Sequence, residues 1–280
     1  MSVEPIRVLV NGEPGNAVAT TDRGLLYGDG LFETIACVGG TLQFWQAHMQ
    51  RLQSGCERLG LGQLDSDALR QECLGLLEGA GRSVLKVIIT RGTGGRGYCP
   101  PENIKATRIV QLHDWPGYPV TARTEGISTI ICKTRLGQNP SLAGMKHLNR
   151  LEQVMARREW NDGAIREGLM LDKAAQLVEG TMSNVFLVQK GGLLTPDLTQ
   201  CGVAGIMRAH VMGRAAQENI TVDVRAVTVD ELLQADEVFV CNSLIGIWPV
   251  RRVDDTRYEK GPLTTHLQTC LVRSHDDFVI

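Results

Sequence analysis

Residues 114–121 read Asp-Trp-Pro-Gly-Tyr-Pro-Val-Thr, and two prolines and a glycine in that span interrupt any helix or strand that reaches it. Every other element must therefore fold on one side of this break or the other. The 280-residue chain is expected to form an N-terminal α/β domain over 1–113, a linker over 114–121 and a C-terminal α/β domain over 122–280. With 43% hydrophobic residues, it has enough apolar material to bury a substantial core.

The first half opens as antiparallel sheet. Residues 7–10 run into an Asn11-Gly12 turn, and residues 31–38 pair with 41–44 through Gly39-Gly40. Met49, Leu52, Cys56 and Leu59 follow helical spacing over 46–59, with Gly60 at the C-cap position. A second helix is predicted over 67–78 with Asp65 or Ser66 as N-cap, followed by strands over 84–90 and 108–112. Beyond the linker, strands are expected at 127–132, 168–171, 184–188, 221–225 and 237–241, and helices at 147–160 and 206–219. Thr228-x-x-Glu231 is a capping box that starts a short helix.

Charge is nearly balanced, 29 Lys and Arg against 31 Asp and Glu, with no long run of either sign, which argues against nucleic-acid binding through a basic surface. No stretch of about 18 apolar residues offers a membrane span, and the first five residues lack a basic segment leading into an apolar one, so a cytoplasmic protein is expected. Eight dispersed cysteines form no C-x-x-C pair and have no accompanying histidine cluster, so reduced thiols and no metal are expected.

Seven lysines make the search for a nucleophilic amine short. Lys146 lies in Ser-Leu-Ala-Gly-Met-Lys-His-Leu-Asn-Arg, read as the junction of a glycine-containing loop and a helix whose Leu148, Leu151 and Met155 face inward. Thirty-three residues later, Val178-Glu179-Gly-Thr-Met-Ser-Asn184-Val-Phe reads as a loop leading into a strand and carries one carboxylate suited to a protonated ring nitrogen. Gly202-Val-Ala-Gly205-Ile206-Met207-Arg208 places two glycines before a helix, where free N–H groups and the helix dipole favour a phosphate. Arg51, in His48-Met-Gln-Arg-Leu, adds a cation, and Ser243, in Cys-Asn-Ser after a strand, adds a hydroxyl. Each feature also has an ordinary reading: a solvated lysine, a surface carboxylate, a capped helix, a surface arginine or serine.

Taken in order, H-x-x-R-L, the lysine, E-G-x-x-x-N-V-F, G-x-x-G-I-x-R and a late serine resemble the fold-type IV pyridoxal-phosphate enzymes, the D-amino-acid aminotransferase-like family. The resemblance runs from about residue 7 to 250. It implies a two-domain α/β fold with pyridoxal 5'-phosphate between the domains. It further implies a Schiff-base lysine at Lys146 in the C-terminal domain, a ring-nitrogen partner at Glu179, phosphate contacts from Arg51, Ile206, Met207 and Ser243, and Asn184 as a brace.

The family holds both aminotransferases and aminodeoxychorismate lyases. His147-Leu-Asn-Arg-Leu-Glu-Gln-Val and Arg91-Gly-Thr-Gly-Gly-Arg96-Gly-Tyr98 look like the lyases. Arg150 stands where the aminotransferases carry a tyrosine, Tyr98 where the D-amino-acid enzymes carry a histidine, and Phe32 where they carry another tyrosine. The resemblance thus implies elimination of pyruvate from 4-amino-4-deoxychorismate to leave 4-aminobenzoate, in a homodimer. Arg96, Tyr98 and Arg150 are then the substrate-side candidates, and Arg150 has the alternative of pairing with Glu152 on the next turn. The rivals are a D-amino-acid or branched-chain aminotransferase, and a cofactor-binding protein without turnover, against which Lys146 and Glu179 together argue.

Overall fold

The computed structural model describes residues 5–273, which form two compact units. The first contains the chain up to Pro116 together with Met145–Asn149, and the second contains Gly117–Gly144 and the chain from Arg150 onward.

In the first unit, β1 (Arg7–Val10), β2 (Glu13–Pro14), β3 (Gly30–Val38), β4 (Thr41–Leu42), β5 (Ser83–Thr90) and β6 (Thr107–Asp114) make one antiparallel sheet in the order β2-β1-β6-β5-β3-β4. Helices α1 (Arg23–Tyr27), α2 (Trp45–Leu59) and α3 (Ser66–Leu76) accompany it. Asp65 caps α3, accepting from Ala68 N. Leu31, Ile35, Leu52, Leu69, Leu85 and Leu112 are sealed in the core. Gly55 of α2 allows the helix to approach the sheet, since a Cβ there would stand 2.7 Å from Leu31. At the other end of α2, Gly60 has φ +62° and its N–H reaches Cys56 O and Glu57 O.

The second unit is built on a ten-stranded sheet. Its strands are β7 (Ile127–Leu136), β8 (Ile165–Asp172), β9 (Gln176–Gly180), β10 (Asn184–Gln189), β11 (Gly192–Pro196), β12 (Val222–Arg225), β13 (Val227–Thr228), β14 (Glu237–Asn242), β15 (Gly246–Val253) and β16 (Thr256–Arg257). The order is β12-β11-β10-β14-β15-β7-β8-β9-β13, with β16 on β15. Pairings β7·β8, β7·β15 and β11·β12 are parallel. Nearly every residue of β8, β10 and β14 is buried, so these strands lack the in-out alternation of a one-sided sheet. Helices α4 (Val120–Thr124), α5 (Leu151–Arg157), α6 (Ile206–Gln217), α7 (Val229–Leu233) and α8 (Pro262–Arg273) complete the unit. The capping box at the start of α7 has both of its hydrogen bonds.

Four expectations are corrected. The helix expected over 147–160 is only α5, because residues 146–148 are extended against β3: Phe32 N donates to Lys146 O, His147 bridges Leu31, and Leu148 N donates to Gly30 O. Lys146 therefore precedes the helix by five residues and belongs to the first unit rather than to the C-terminal one. Leu151 and Met155 face outward at 71% and 52% exposure, and the buried residue of α5 is Ala156. Finally, Glu179 lies on strand β9, paired with Met170, not on a loop.

Candidate functional site

In the first unit the candidates gather around β3. Lys146 is fixed by its main chain, and its Nζ lies 4.4 Å from the centre of the Phe32 ring. Lys86, opposite Thr34 on β5, brings a second ammonium to 5.5 Å from the same ring. Beside Phe32 in the chain, Glu33 is 1% exposed and receives Arg51 bidentately, Nε to Oε1 at 2.8 Å and Nη2 to Oε2 at 2.5 Å. His48 Nδ1 meets Glu33 Oε2 at 2.6 Å. Burial raises the Glu33 carboxyl, but the charges of Arg51 and His48 and their hydrogen bonds outweigh it and hold it at about 2. His48 is itself lowered, chiefly by burial and further by the nearby Arg51 and Lys146 charges. Motif reading picked out Arg51 and passed over Glu33, the residue that orients it; a lone carboxylate in the apolar run 31–38 was the available signal.

The segment from Arg91 to Tyr98 is tied down from behind. Arg91 and Arg23 both bond Asp29, at 2.7 Å and 2.9 Å, and Arg23 also donates to Gly97 O at 2.9 Å and Tyr98 O at 3.0 Å. Asp29 is lowered in turn: burial opposes the shift, and the two arginines impose it. Arg96 and Tyr98 are exposed, Tyr98 to 84%, and Arg96 has no ion pair among the described residues.

In the second unit the structure brings Glu179, Asn184 and the start of α6 together. Glu179 is 4% exposed and accepts from Val203 N at 2.8 Å, while Asn184 Nδ2 donates to Val203 O at 2.9 Å. One residue, Val203, thus links both polar side chains to the turn that becomes α6. Gly205 leaves room for Asn184 here, since a Cβ would come 1.9 Å from Asn184 Oδ1, and the side chain would have to move. As N-cap it supplies no side chain to the first amides of α6, and Ile206 and Met207 open that helix as buried residues. Ser243 follows β14 in a turn closed by Asn242 Oδ1, which accepts from Leu244 N and Ile245 N. Arg150 is the N-cap residue of α5, and Glu152 accepts from Gly137 N at 2.9 Å.

A second residue missed by the motif reading is Glu167 on β8, 1% exposed. Its oxygens accept from Gly168 N, Thr181 N and Oγ1, Met182 N and Ser183 Oγ, at 2.6–3.3 Å. It therefore fixes the 181–183 turn that separates Glu179 from Asn184. No local pattern marks it, because its partners lie 14 to 16 residues ahead.

The "Amino-transferase class IV" family matches residues 30–253, which is most of the chain. The chain belongs to the class IV aminotransferase family. It is 35% identical over 272 residues to an aminodeoxychorismate lyase of Vibrio harveyi, covering 92% of this chain and 97% of that one. The crystal structure of 4-amino-4-deoxychorismate lyase from Pseudomonas aeruginosa superposes with a TM-score of 0.92 at 48% identity, covering 96% and 99% of the two chains. The branched-chain aminotransferase of Escherichia coli gives a TM-score of 0.84 at 26% identity over 95% and 93%. The α/β class IV fold expected from the motifs is the fold observed. Among the described residues, no helix is long and apolar enough to cross a membrane.

Proposed function

We propose that this class IV protein is an aminodeoxychorismate lyase, which converts 4-amino-4-deoxychorismate to 4-aminobenzoate and pyruvate with pyridoxal 5'-phosphate as cofactor. The observation that carries the choice within the family is the higher likeness to the two lyases, at 35% and 48% identity, than to the branched-chain aminotransferase at 26%. Phe32 in place of a tyrosine, and Arg150 and Tyr98 at the other two discriminating positions, support the same reading.

The side chains present fit the cofactor. Glu179 is a buried carboxylate suited to a protonated pyridine nitrogen, and α6 begins with amides that no side chain caps, next to a glycine that leaves no Cβ in the way. When bound, pyridoxal phosphate supplies an aldehyde for the substrate amine and a cationic ring that draws electrons from the carbon bearing it. Lys146 would be the amine that anchors this aldehyde, and its free amine would take the proton from that carbon and return one to the departing pyruvate methylene. Glu179 keeps the ring-nitrogen proton in place, and Asn184 braces the same turn. Ile206, Met207 and Ser243 would hold the phosphate, and Arg51, bonded to Glu33 as is His48, would complete its charge balance. Arg96, Tyr98 and Arg150 are the candidates for the two substrate carboxylates.

A homodimer is part of this reading, supported by the exposed Tyr98, whose ring lies 5.4 Å from Tyr27 of α1, and by the outward-facing Leu25 and Leu26 on that helix. A cytoplasmic location is supported by eight free cysteines, seven of them buried.

Purified enzyme supplied with aminodeoxychorismate should release pyruvate and 4-aminobenzoate in equal amounts. Release of neither product, together with robust transfer of the amine from D-alanine or a branched-chain amino acid to 2-oxoglutarate, would overturn the lyase reading and leave the family assignment standing.

A further inference from the structure

Away from every residue discussed above, the C-terminal end of α6 meets α8. Glu218 follows the last residue of α6 as its C-cap, and His266 and Cys270 stand one turn apart on α8, so both present side chains to the same face. His266 Nε2 lies 3.3 Å from Glu218 Oε2 and 3.5 Å from Cys270 Sγ, and all three ligand atoms lie within 4.8 Å of one another. We infer that Glu218, His266 and Cys270 form a Zn2+ site that clasps α6 to α8.

Two of the three distances have the lengths that a shared cation would set. Tetrahedral Zn2+ with bonds of about 2.0–2.1 Å to nitrogen, 2.0–2.2 Å to oxygen and 2.3 Å to sulfur separates its N and O ligands by about 3.4 Å and its N and S ligands by about 3.6 Å. The observed 3.3 Å and 3.5 Å edges match that figure, whereas a charge-assisted His to Glu bond would close to about 2.7–2.9 Å. Both contacts also converge on one ring nitrogen. Nε2 carries either a single proton or a single lone pair, so it cannot both donate fully to the carboxylate and accept from the thiol.

The donor set selects the ion. A thiolate and an imidazole favour Zn2+ over Ca2+ or Mg2+, which prefer oxygen cages. The three protein ligands leave a fourth position to water, and Glu218 and His266, at 35% and 48% side-chain exposure, leave the ion a path from solvent. On binding, the Cys270 S–H bond is replaced by an S–Zn bond and the proton passes to solvent, with no change of oxidation state. The sequence hides the site, because H-x-x-x-C is a single pair and Glu218 lies 48 residues before His266.

Full-length holoenzyme, stripped of metal with a chelator and kept reduced with a phosphine, can be titrated with Co2+ and then Zn2+. One equivalent of Co2+ should develop a near-ultraviolet thiolate-to-metal band, and one equivalent of Zn2+ should abolish it. Cys270→Ser should remove the band, His266→Ala should weaken Zn2+ binding at least about tenfold, and Cys99→Ser, which alters the exposed thiol, should change nothing. If Cys270→Ser fails to fold, Glu218→Gln at an exposed carboxylate decides the matter, since Zn2+ affinity unchanged in that variant overturns the site. Absence of the band in the parent protein, or its survival in Cys270→Ser, overturns it equally.

Discussion

Glu33 in the first unit and Glu167 in the second are both 1% exposed carboxylates, and burial pushes both upward, yet they end on opposite sides of the ordinary value. Glu33 falls to about 2 because its partners Arg51 and His48 bring positive charge. Glu167 stays raised although it accepts five hydrogen bonds, because every donor is a neutral amide or hydroxyl. Neutral donors satisfy a buried carboxylate geometrically, but here only cations keep it charged against desolvation. The first unit thus carries a fixed anion that aims an arginine, and the second a polar hub that shapes a turn.

Glu33→Gln should have the larger consequence. It strands Arg51 without its counter-charge, an imbalance worth about 3 to 5 kcal/mol when one partner of a buried pair is removed. Urea unfolding followed by probes in the first unit should show that loss, together with weaker pyridoxal phosphate binding. A loss under about 1 kcal/mol would mean that the Arg51 charge is neutralised elsewhere.

Acidification should separate the two units next. The folded Glu33 value of about 2 lies below its ordinary 4.5, so its contribution is present above pH 4.5 and lost as pH falls towards 2, roughly 3 kcal/mol in all. Glu167 is raised, so its effect has the opposite sign: stability from its proton is present below 4.5 and lost as pH rises through the folded value. Glu231 in the second unit is also held at about 2, but it is partly exposed and screened, so it contributes less. Amide hydrogen exchange from pH 5 to 3 should therefore show protection lost first in β3 and β5. Simultaneous loss in β8 and β10 would erase the distinction.

Glu167→Gln should have the smallest effect. One oxygen keeps its three donors, and the new amide nitrogen faces Ser183 Oγ, a hydroxyl able to turn and accept, while only the long 3.3 Å contact from Met182 N is lost, so a cost of about 1 kcal/mol is expected. Thermal unfolding at neutral pH checks it. A cost equal to that of Glu33→Gln would show that charge is not what separates the two hubs.

The same contrast explains what was legible in the sequence. The hairpin across Gly39-Gly40, the Gly60 C-cap and the Thr228 capping box depend on residues two to four positions apart, and each formed as read. The motif residues Glu179, Asn184 and the α6 start also lie together, because a single turn at Val203 links them. The start of α5 was misplaced because residues 146–148 are claimed by β3, more than 110 positions earlier, and strand pairing at that range overrides local helical spacing. Glu33 and Glu167 escaped for a related reason: a buried carboxylate is defined by what folds over it.

The lyase account rests on elimination without a second substrate, and acceptor-free turnover tests it most directly. Enzyme given excess aminodeoxychorismate and no 2-oxo acid should release many equivalents of pyruvate per site, with visible cofactor absorbance intact, and Lys146→Ala should lose at least about 100-fold in rate. No pyruvate at all, with the cofactor absorbance lost until 2-oxoglutarate is added, would contradict the account and make the protein an aminotransferase.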